Sequence, residues 1–186
     1  MLIEHLKVGA QIVGLRPLIM QRQDPTAASY RVRRVGPITA VEFFDGPSST
    51  TSGEVNITTL PYKVGTINNT PMSGVEVISG EFAGCIMARY KENGVLKCGH
   101  VCTQSGYSQR DAWNAGVENG AFSDVTALDT KGMVASYGAA TMNTSVLCIA
   151  SPTQGPIGHV YVEREAYGSS GGNVLDWKYR VVKVGE

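Results

Sequence analysis

Short stretches in which hydrophobic and polar residues alternate recur along most of this chain. In ITAVEFFDG, residues 38–46, apolar and polar side chains largely alternate before an Asp-Gly turn signal. Because successive side chains of a strand point to opposite faces, this pattern predicts a half-buried β-strand. Comparable patterns predict strands at residues 30–35, 38–44, 55–64, 75–78, 146–150, 158–163 and 177–184.

One stretch, SQRDAWNAGVENGAF at residues 108–122, is the best helix candidate. Ser108 can cap its first turn, and Trp113 and Val117 are spaced to face inward together. Gly116 is a poor helix former and weakens the pattern.

These elements predict an α+β fold, a single domain spanning residues 1–186 with a mostly antiparallel β-sheet or sandwich and one or two helices. Pro17 is expected to break any helix within the first 23 residues. The small polar stretches GPSSTTSG and GSSGG, residues 46–53 and 168–172, are predicted surface loops that could border a binding site.

The charge and hydropathy of the chain argue against some classes of function. Sixteen basic residues balance sixteen acidic ones, whereas general nucleic-acid binders are usually clearly basic, so we expect no nucleic-acid partner. The sequence has no apolar run of the length that spans a bilayer, and its first residues make a poor secretory signal. Three of the four cysteines crowd into residues 85–102, which favours reduced thiols over a disulfide framework.

Those cysteines lie in GCIMARYKENGVLKCGHVCT, residues 84–103, which predicts a β-hairpin. A four-residue loop at 91–94 would place Cys85 directly opposite His100, with Cβ atoms about 4.5–5.5 Å apart. A two-residue Asn93-Gly94 turn would instead place His100 diagonally from Cys85 on the same face. Either register lets a thiol and an imidazole share a proton, and a neighbouring imidazolium would lower the pKa of the thiol.

The segment preceding the thiol reads SGEFAGC. It resembles the toxin-type glutamine deamidases, which include the catalytic domain of cytotoxic necrotizing factors, Burkholderia lethal factor and the chemoreceptor glutamine deamidases. That family carries a small-Gly-Cys motif at the start of a strand and a catalytic histidine on the next strand. Cys85 and His100 match these two positions. Ser79 stands where some members have threonine, and Ala83 replaces the usual serine. The resemblance covers residues 79–103.

The resemblance implies a cysteine-dependent protein-glutamine deamidase. Cys85 would be the nucleophile, His100 the base and Ser79 its orienting group, while the backbone at Ala83 and Gly84 would bind the oxyanion. No cofactor is implied. The implied partner is a host protein of the GTPase or translation-factor type. We expect a monomeric secreted effector that acts in the target-cell cytosol without a classical signal peptide, or otherwise a cytoplasmic protein.

Other interpretations of the same residues remain open. Cys98, His100 and Cys102 alternate on one strand face and could hold zinc, although ligands about 6.5–7 Å apart are widely spaced for one ion. The chain could be a non-enzymatic β-rich binding or structural protein, a cysteine peptidase or a transglutaminase. His159 is expected to be structural, and the sequence leaves open whether a carboxylate orients the histidine: the candidates are Glu118, Asp124 and Asp129.

Overall fold

The computed structural model describes residues 1–49, 53–153, 155–170 and 173–185. Twelve strands and three short α-helices are assigned there, together with a 3-10 helix at Leu2–His5. The strands are β1 Gln11–Val13, β2 Thr26–Val35, β3 Ile38–Asp45, β4 Val55–Leu60, β5 Ile67–Pro71, β6 Val77–Phe82, β7 Ile86–Glu92, β8 Val95–Val101, β9 Phe122–Asp129, β10 Thr144–Ala150, β11 Gly158–Ser170 and β12 Asn173–Val184. The helices are α1 Leu15–Met20, α2 Arg110–Glu118 and α3 Met133–Ser136.

Eight of the strands close into a barrel in the order β1-β12-β11-β10-β6-β4-β2-β3. Closure depends on the three-residue strand β1, which pairs antiparallel with β12 and parallel with β3. The other pairings are antiparallel except that between β4 and β6. The prediction of a mostly antiparallel β fold is therefore confirmed. The sandwich alternative is wrong, because the larger sheet has no open edges and closes on itself.

The remaining strands form a four-stranded antiparallel sheet in the order β5-β8-β7-β9. A shared apolar cluster joins it to the barrel: Phe82 and Val146 of the barrel pack in one buried group with Met87 and Cys98 of the sheet. The two sheets thus meet at a buried apolar interface. The chain passes from the barrel to the sheet between Phe82, the last residue of β6, and Ile86, the first of β7.

The β7–β8 hairpin has the two-residue turn, so the predicted direct pairing of Cys85 with His100 is wrong. Asn93 and Gly94 both have positive φ, 51° and 78°, as a type I′ turn requires. Met87 consequently pairs with His100, and Ile86 with Val101. The tighter turn is favoured because its twist matches that of the flanking strands.

The helix prediction is confirmed for its core and corrected at its edges. Trp113 is buried in α2, whereas Val117 is 38% exposed. Gly116 is buried because the ring of Phe122 lies against it, where a Cβ would come within 2.4 Å of a ring carbon. Pro17 lies inside α1 without breaking it, since a proline in the first turn lacks only an N–H that has no partner there.

The structure has more short elements than the sequence predicted. The described residues form three α-helices rather than one or two, and β5 and β9 were both missed. Residues 50–52 of the first predicted loop and residues 171–172 of the second lie outside the described residues. The start of the second predicted loop is instead part of a strand, because β11 continues to Ser170. In the described part of the chain, no helix has the length and apolar character needed to cross a membrane.

Candidate active site

A cavity of about 510 Å³ opens where the barrel passes into the four-stranded sheet. Cys85 lies half-buried in its wall. Part of the wall is polar: Glu81 accepts hydrogen bonds from Arg16 Nε at 2.9 Å and from the Tyr179 hydroxyl at 2.7 Å. The residues that line the cavity are Met20, Tyr62, Glu81, Ala83, Gly84, Cys85, Thr103, Gln104, Arg110 and Lys131.

Both the N–H and the carbonyl group of Gly84 are hydrogen-bonded. Its N–H donates to Thr130 Oγ1 at 3.0 Å, and its carbonyl accepts from Thr103 Oγ1 at 2.7 Å and from Arg110 Nη2 at 3.1 Å. Its φ of 153° is one that L side chains rarely adopt. The N–H of Gly84 therefore already has a partner, and its role as an oxyanion donor stays a prediction. Ala83 does line the cavity.

The Cys85 thiol is neutral in this setting. Burial raises its pKa, and the N–H and hydroxyl of Thr103 offset that effect only in part. Thr130 holds the backbone in place, since its N–H and its hydroxyl both donate to the Cys85 carbonyl, at 3.1 and 2.8 Å. The thiol is therefore positioned by two threonines but is not pre-ionised.

Ser79 and His100, two of the predicted site residues, are hydrogen-bonded to each other. Ser79 Oγ lies 2.8 Å from His100 Nδ1 and 2.5 Å from the carbonyl oxygen of Leu60. A hydroxyl has one proton, and a carbonyl can only accept, so Ser79 donates to Leu60 and accepts from Nδ1–H. The neutral ring then carries its lone pair on Nε2.

That lone pair is buried and unused. The His100 side chain is 1% exposed, and among the residues that the structure describes Nε2 has no hydrogen-bond partner. Its ring stacks on Phe82 at 4.1 Å between centroids and lies 5.4 Å from the ring of Tyr62. Burial lowers the pKa of His100 to about 3, so the imidazole is uncharged at neutral pH.

Cys85 and His100 are diagonal neighbours rather than a bonded pair. Met87 pairs with His100, and Cys85 is two residues before Met87, so both side chains lie on the face of the sheet that packs against the barrel. Within the described residues, no hydrogen bond joins Sγ to Nε2. The arrangement is a neutral thiol beside a neutral base, not the thiolate–imidazolium pair that the sequence suggested.

The proposed zinc ligands do not assemble. Cys98 is fully buried beside Met87, with its sulfur 3.9 Å from the thioether sulfur. No group of three or more histidine, cysteine or carboxylate side chains is placed to hold a metal ion in the described parts of the chain. The alternating spacing along β8 keeps Cys98, His100 and Cys102 apart, as the strand rise requires.

Cys102 has a separate polar environment. Its sulfur lies 3.3 Å from the hydroxyl of Tyr62, which donates to Gln104 Oε1 at 2.6 Å. Burial opposes ionisation, but the hydrogen bond with Tyr62 and hydrogen bonds from nearby backbone N–H groups together lower the pKa of this thiol. Cys102 therefore differs from Cys85, whose pKa is raised.

The carboxylates that were candidates for orienting the histidine have other roles. Asp129 pairs with Arg110, which lowers the pKa of the carboxyl, and Asp124 pairs with Lys91. His159 lies on β11 opposite Cys148, and its ring is 6.0 Å from that of Tyr161. These residues belong to surface ion pairs and barrel packing, and Glu118 is exposed at the end of α2. Among the described residues, Ser79 is the hydrogen-bond partner of His100 Nδ1.

Sequence reasoning missed five residues around the thiol: Tyr62, Thr103, Gln104, Arg110 and Thr130. Thr103 and Gln104 directly follow CGHVC in the sequence. Their position at the end of the second predicted hairpin strand could therefore have identified them. Tyr62 and Thr130 reach the site through β4 and β9, whose positions depend on pairings that local sequence does not specify.

Neither protein-family models nor curated proteins match this sequence.

Proposed function

We propose that this protein is a cysteine-dependent protein-glutamine deamidase with Cys85 as nucleophile and His100 as general base. One observation carries the proposal: His100 Nε2 is a buried, unpartnered proton acceptor whose tautomer is set by Ser79. Buried polar atoms without partners are rare in proteins, and a catalytic role is one of the reasons for which they persist. The half-buried thiol on the same face supplies that proton.

The reaction begins with both groups neutral. As Cys85 Sγ attacks the carbonyl carbon of a glutamine side chain, its proton passes to His100 Nε2. The imidazolium then gives this proton to the departing nitrogen, ammonia leaves, and a thioester remains. Water attacks the thioester with His100 again accepting a proton, which returns to Sγ as the glutamate product departs.

Burial makes the imidazolium unfavourable unless a negative charge forms beside it. With its pKa lowered to about 3, His100 holds a proton only while negative charge develops beside it. The Ser79 hydroxyl keeps the ring from turning, and bonding Nδ1–H to an oxygen stabilises the imidazolium formed in the transition state. Ser79 is thus a positioning residue.

Because the Gly84 N–H already donates to Thr130, we propose a further donor for the oxyanion. The Tyr62 hydroxyl and the Gln104 side chain line the cavity with Cys85. Tyr62 donates to Gln104 Oε1, which turns the amide so that its NH₂ group is free to donate. We assign the Gln104 amide as the donor to the glutamine carbonyl oxygen, with Tyr62 orienting it.

The substrate we propose is a glutamine side chain of a host protein of the GTPase or translation-factor type, as the resemblance implies. An open cavity beside the thiol suits a side chain presented on a protein surface. An amine in place of water would give transglutamination through the same thioester. The effector role in a target-cell cytosol and the monomeric state belong to this proposal.

Ammonia release and a mass gain of about 1 Da on a purified GTPase or translation factor test the reaction. We expect Cys85→Ser to abolish both signals and His100→Gln to reduce the rate about 10²–10⁴-fold. Cys98→Ser, a buried thiol away from the cavity, is the matched control and should retain activity. A Cys85→Ser protein that still releases ammonia, or a folded wild type inert toward every such substrate, would overturn the proposal.

A further inference from the structure

We propose that Cys85 and Cys102 form a reversible intramolecular disulfide when the protein meets a peroxide. Pairing of Ile86 with Val101 is the last pair of the β7–β8 ladder. Extending it by one position sets Cys85 directly opposite Cys102. Their side chains share the face that also carries Met87 and His100.

The backbone bonds show which kind of pair this is. Cys102 N–H donates to Thr66 at 3.1 Å, and the Cys102 carbonyl accepts from Gln109 at 2.7 Å. The Cys85 carbonyl accepts from Thr130 N–H at 3.1 Å. These groups all point away from the other cysteine, which defines a non-hydrogen-bonded pair.

A non-hydrogen-bonded antiparallel pair has Cα atoms about 4.5 Å apart, the closer of the two spacings. Disulfides require Cα separations of about 4.4–6.8 Å. The two thiols are therefore within bonding reach without rearrangement of the strands. Both are free in the structure.

The two sulfurs differ in exposure and in ionisation. Cys85 is reached from the cavity, whereas Cys102 is fully buried behind it, so Cys85 is the thiol that a peroxide meets. Burial raises the pKa of Cys85, so this first step is slow at neutral pH. Hydrogen bonds from nearby backbone N–H groups lower the pKa of Cys102, which favours it as the attacking thiolate in the second step.

The chemistry balances with one molecule of hydrogen peroxide. Cys85 Sγ attacks a peroxide oxygen, so that an S–O bond forms, the O–O bond breaks and water leaves. Cys102 Sγ then attacks Cys85 Sγ, the S–S bond forms, and the S–O bond breaks. The departing hydroxide takes the Cys102 proton as a second water, and two thiols have lost two electrons.

The other thiols are excluded by position. Cys98 pairs with Arg89, four residues along β7 from Cys85, which is about 13 Å at the rise of a strand. Cys148 is fully buried on β10. The inference does not depend on the proposed function, although a disulfide at Cys85 would consume the nucleophile.

Peptide mapping after oxidation tests the inference. The reduced protein is treated with hydrogen peroxide, denatured in N-ethylmaleimide and digested with trypsin. We expect a mass loss of about 2 Da on the intact chain before alkylation and one linked pair of peptides, residues 64–89 with 98–110. Fragmentation should place the linkage at Cys102 and the maleimide at Cys98, and dithiothreitol should release both peptides.

Matched variants separate the two thiols of the second peptide. Cys98→Ala should keep the linkage, while Cys102→Ala should lose it and leave Cys85 as a sulfenic acid that dimedone labels. A linkage through Cys98, disulfides only between chains, or Cys85 oxidised to sulfinic acid in wild type without any linked peptide would overturn the inference. If a variant fails to fold, the peptide map of the wild-type protein is sufficient to test the disulfide. The map measures peptide masses rather than activity, so it can support the disulfide even if the protein has no deamidase activity.

Discussion

Ser79 on the barrel strand β6 and His100 on the sheet strand β8 are joined by a 2.8 Å hydrogen bond. Because Ser79 gives its own proton to Leu60, the ring must be the donor in this bond. A barrel residue therefore sets the tautomer of a histidine that belongs to the other sheet. The pair is both a contact between the two sheets and the source of the free lone pair on Nε2.

Replacing Ser79 by alanine should destabilise the fold and release the tautomer. The buried Leu60 carbonyl and Nδ1–H would lose their partner, at a cost of about 1–3 kcal/mol in the free energy of unfolding. Urea denaturation measures this cost, and ¹⁵N NMR of the ring reports the tautomer. Ser145→Ala is the matched control, because among the described residues the buried Ser145 Oγ has no partner to lose. Equal stability of the two variants would contradict the assignment.

Stability should fall as the pH is lowered, because His100 is buried in its neutral form. The unfolded chain takes up a proton on this residue near pH 6.5, whereas burial lowers the pKa in the folded state to about 3. Between these values the unfolded state binds more protons, so the free energy of unfolding decreases with decreasing pH. The loss from this residue between pH 7 and pH 5 is about 2 kcal/mol. Denaturation of wild type and His100→Gln at both values checks it: the variant should show a correspondingly smaller decrease, and parallel curves would refute the expectation.

Alkylation of Cys85 should require alkaline conditions. Burial raises the pKa of this thiol, so its rate of reaction with iodoacetamide should rise with a midpoint above the ordinary value of about 8.5. Peptide mass spectrometry across pH 6–11 would follow it, with the unfolded protein as reference. His100→Gln should leave the midpoint in place, since the histidine carries no charge at these pH values. A midpoint below that of the unfolded protein, raised again in the variant, would instead indicate a thiolate–imidazolium pair.

Substitution at Gly84 should disturb the nucleophile through the backbone alone. A Cβ there would meet no closer atom than Thr103 Oγ1 at 3.8 Å, but the φ of 153° is strained for alanine. We expect Gly84→Ala to lower the free energy of unfolding by about 1–3 kcal/mol and to change the alkylation rate of Cys85. Gly138→Ala, at an open position without positive φ, should do neither. Thermal or urea unfolding of both proteins gives the comparison.

The sequence predicted those features of the fold and of the site that depend on residues close together in the chain. Alternation identified most barrel strands, the spacing along the hairpin related Cys85 to His100, and the family resemblance pointed to Ser79. The register of the hairpin was open because KENG satisfies both a four-residue loop and a two-residue turn, and the choice depends on twist. Local pattern determined which face of the sheet each side chain occupies, but not which residues pair across the two strands.

Features that depend on distant pairings lay beyond such reasoning. The barrel closes through the three residues of β1, too few to show a period. Strand β5 reads INNTP and carries no apolar alternation, although Asn68 is nearly buried and its amide donates to the carbonyl of Pro61 at 2.8 Å. The neutral state of His100 follows from stacking on Phe82 and burial under the barrel, and neither is visible in the residues next to it.

Ala83, Gly84 and Cys85 are the only residues between the end of β6 and the start of β7, so they form the joint between the barrel and the four-stranded sheet. Side chains alternate faces with every residue of a strand, so adding or removing one residue at this joint would invert the whole of β7 relative to the barrel. Met87 would then leave the shared cluster, and the thiol would turn away from the cavity. The number of residues between β6 and β7 is thus constrained as strictly as their identity. Inserting a single residue there should be as damaging as replacing Cys85 itself.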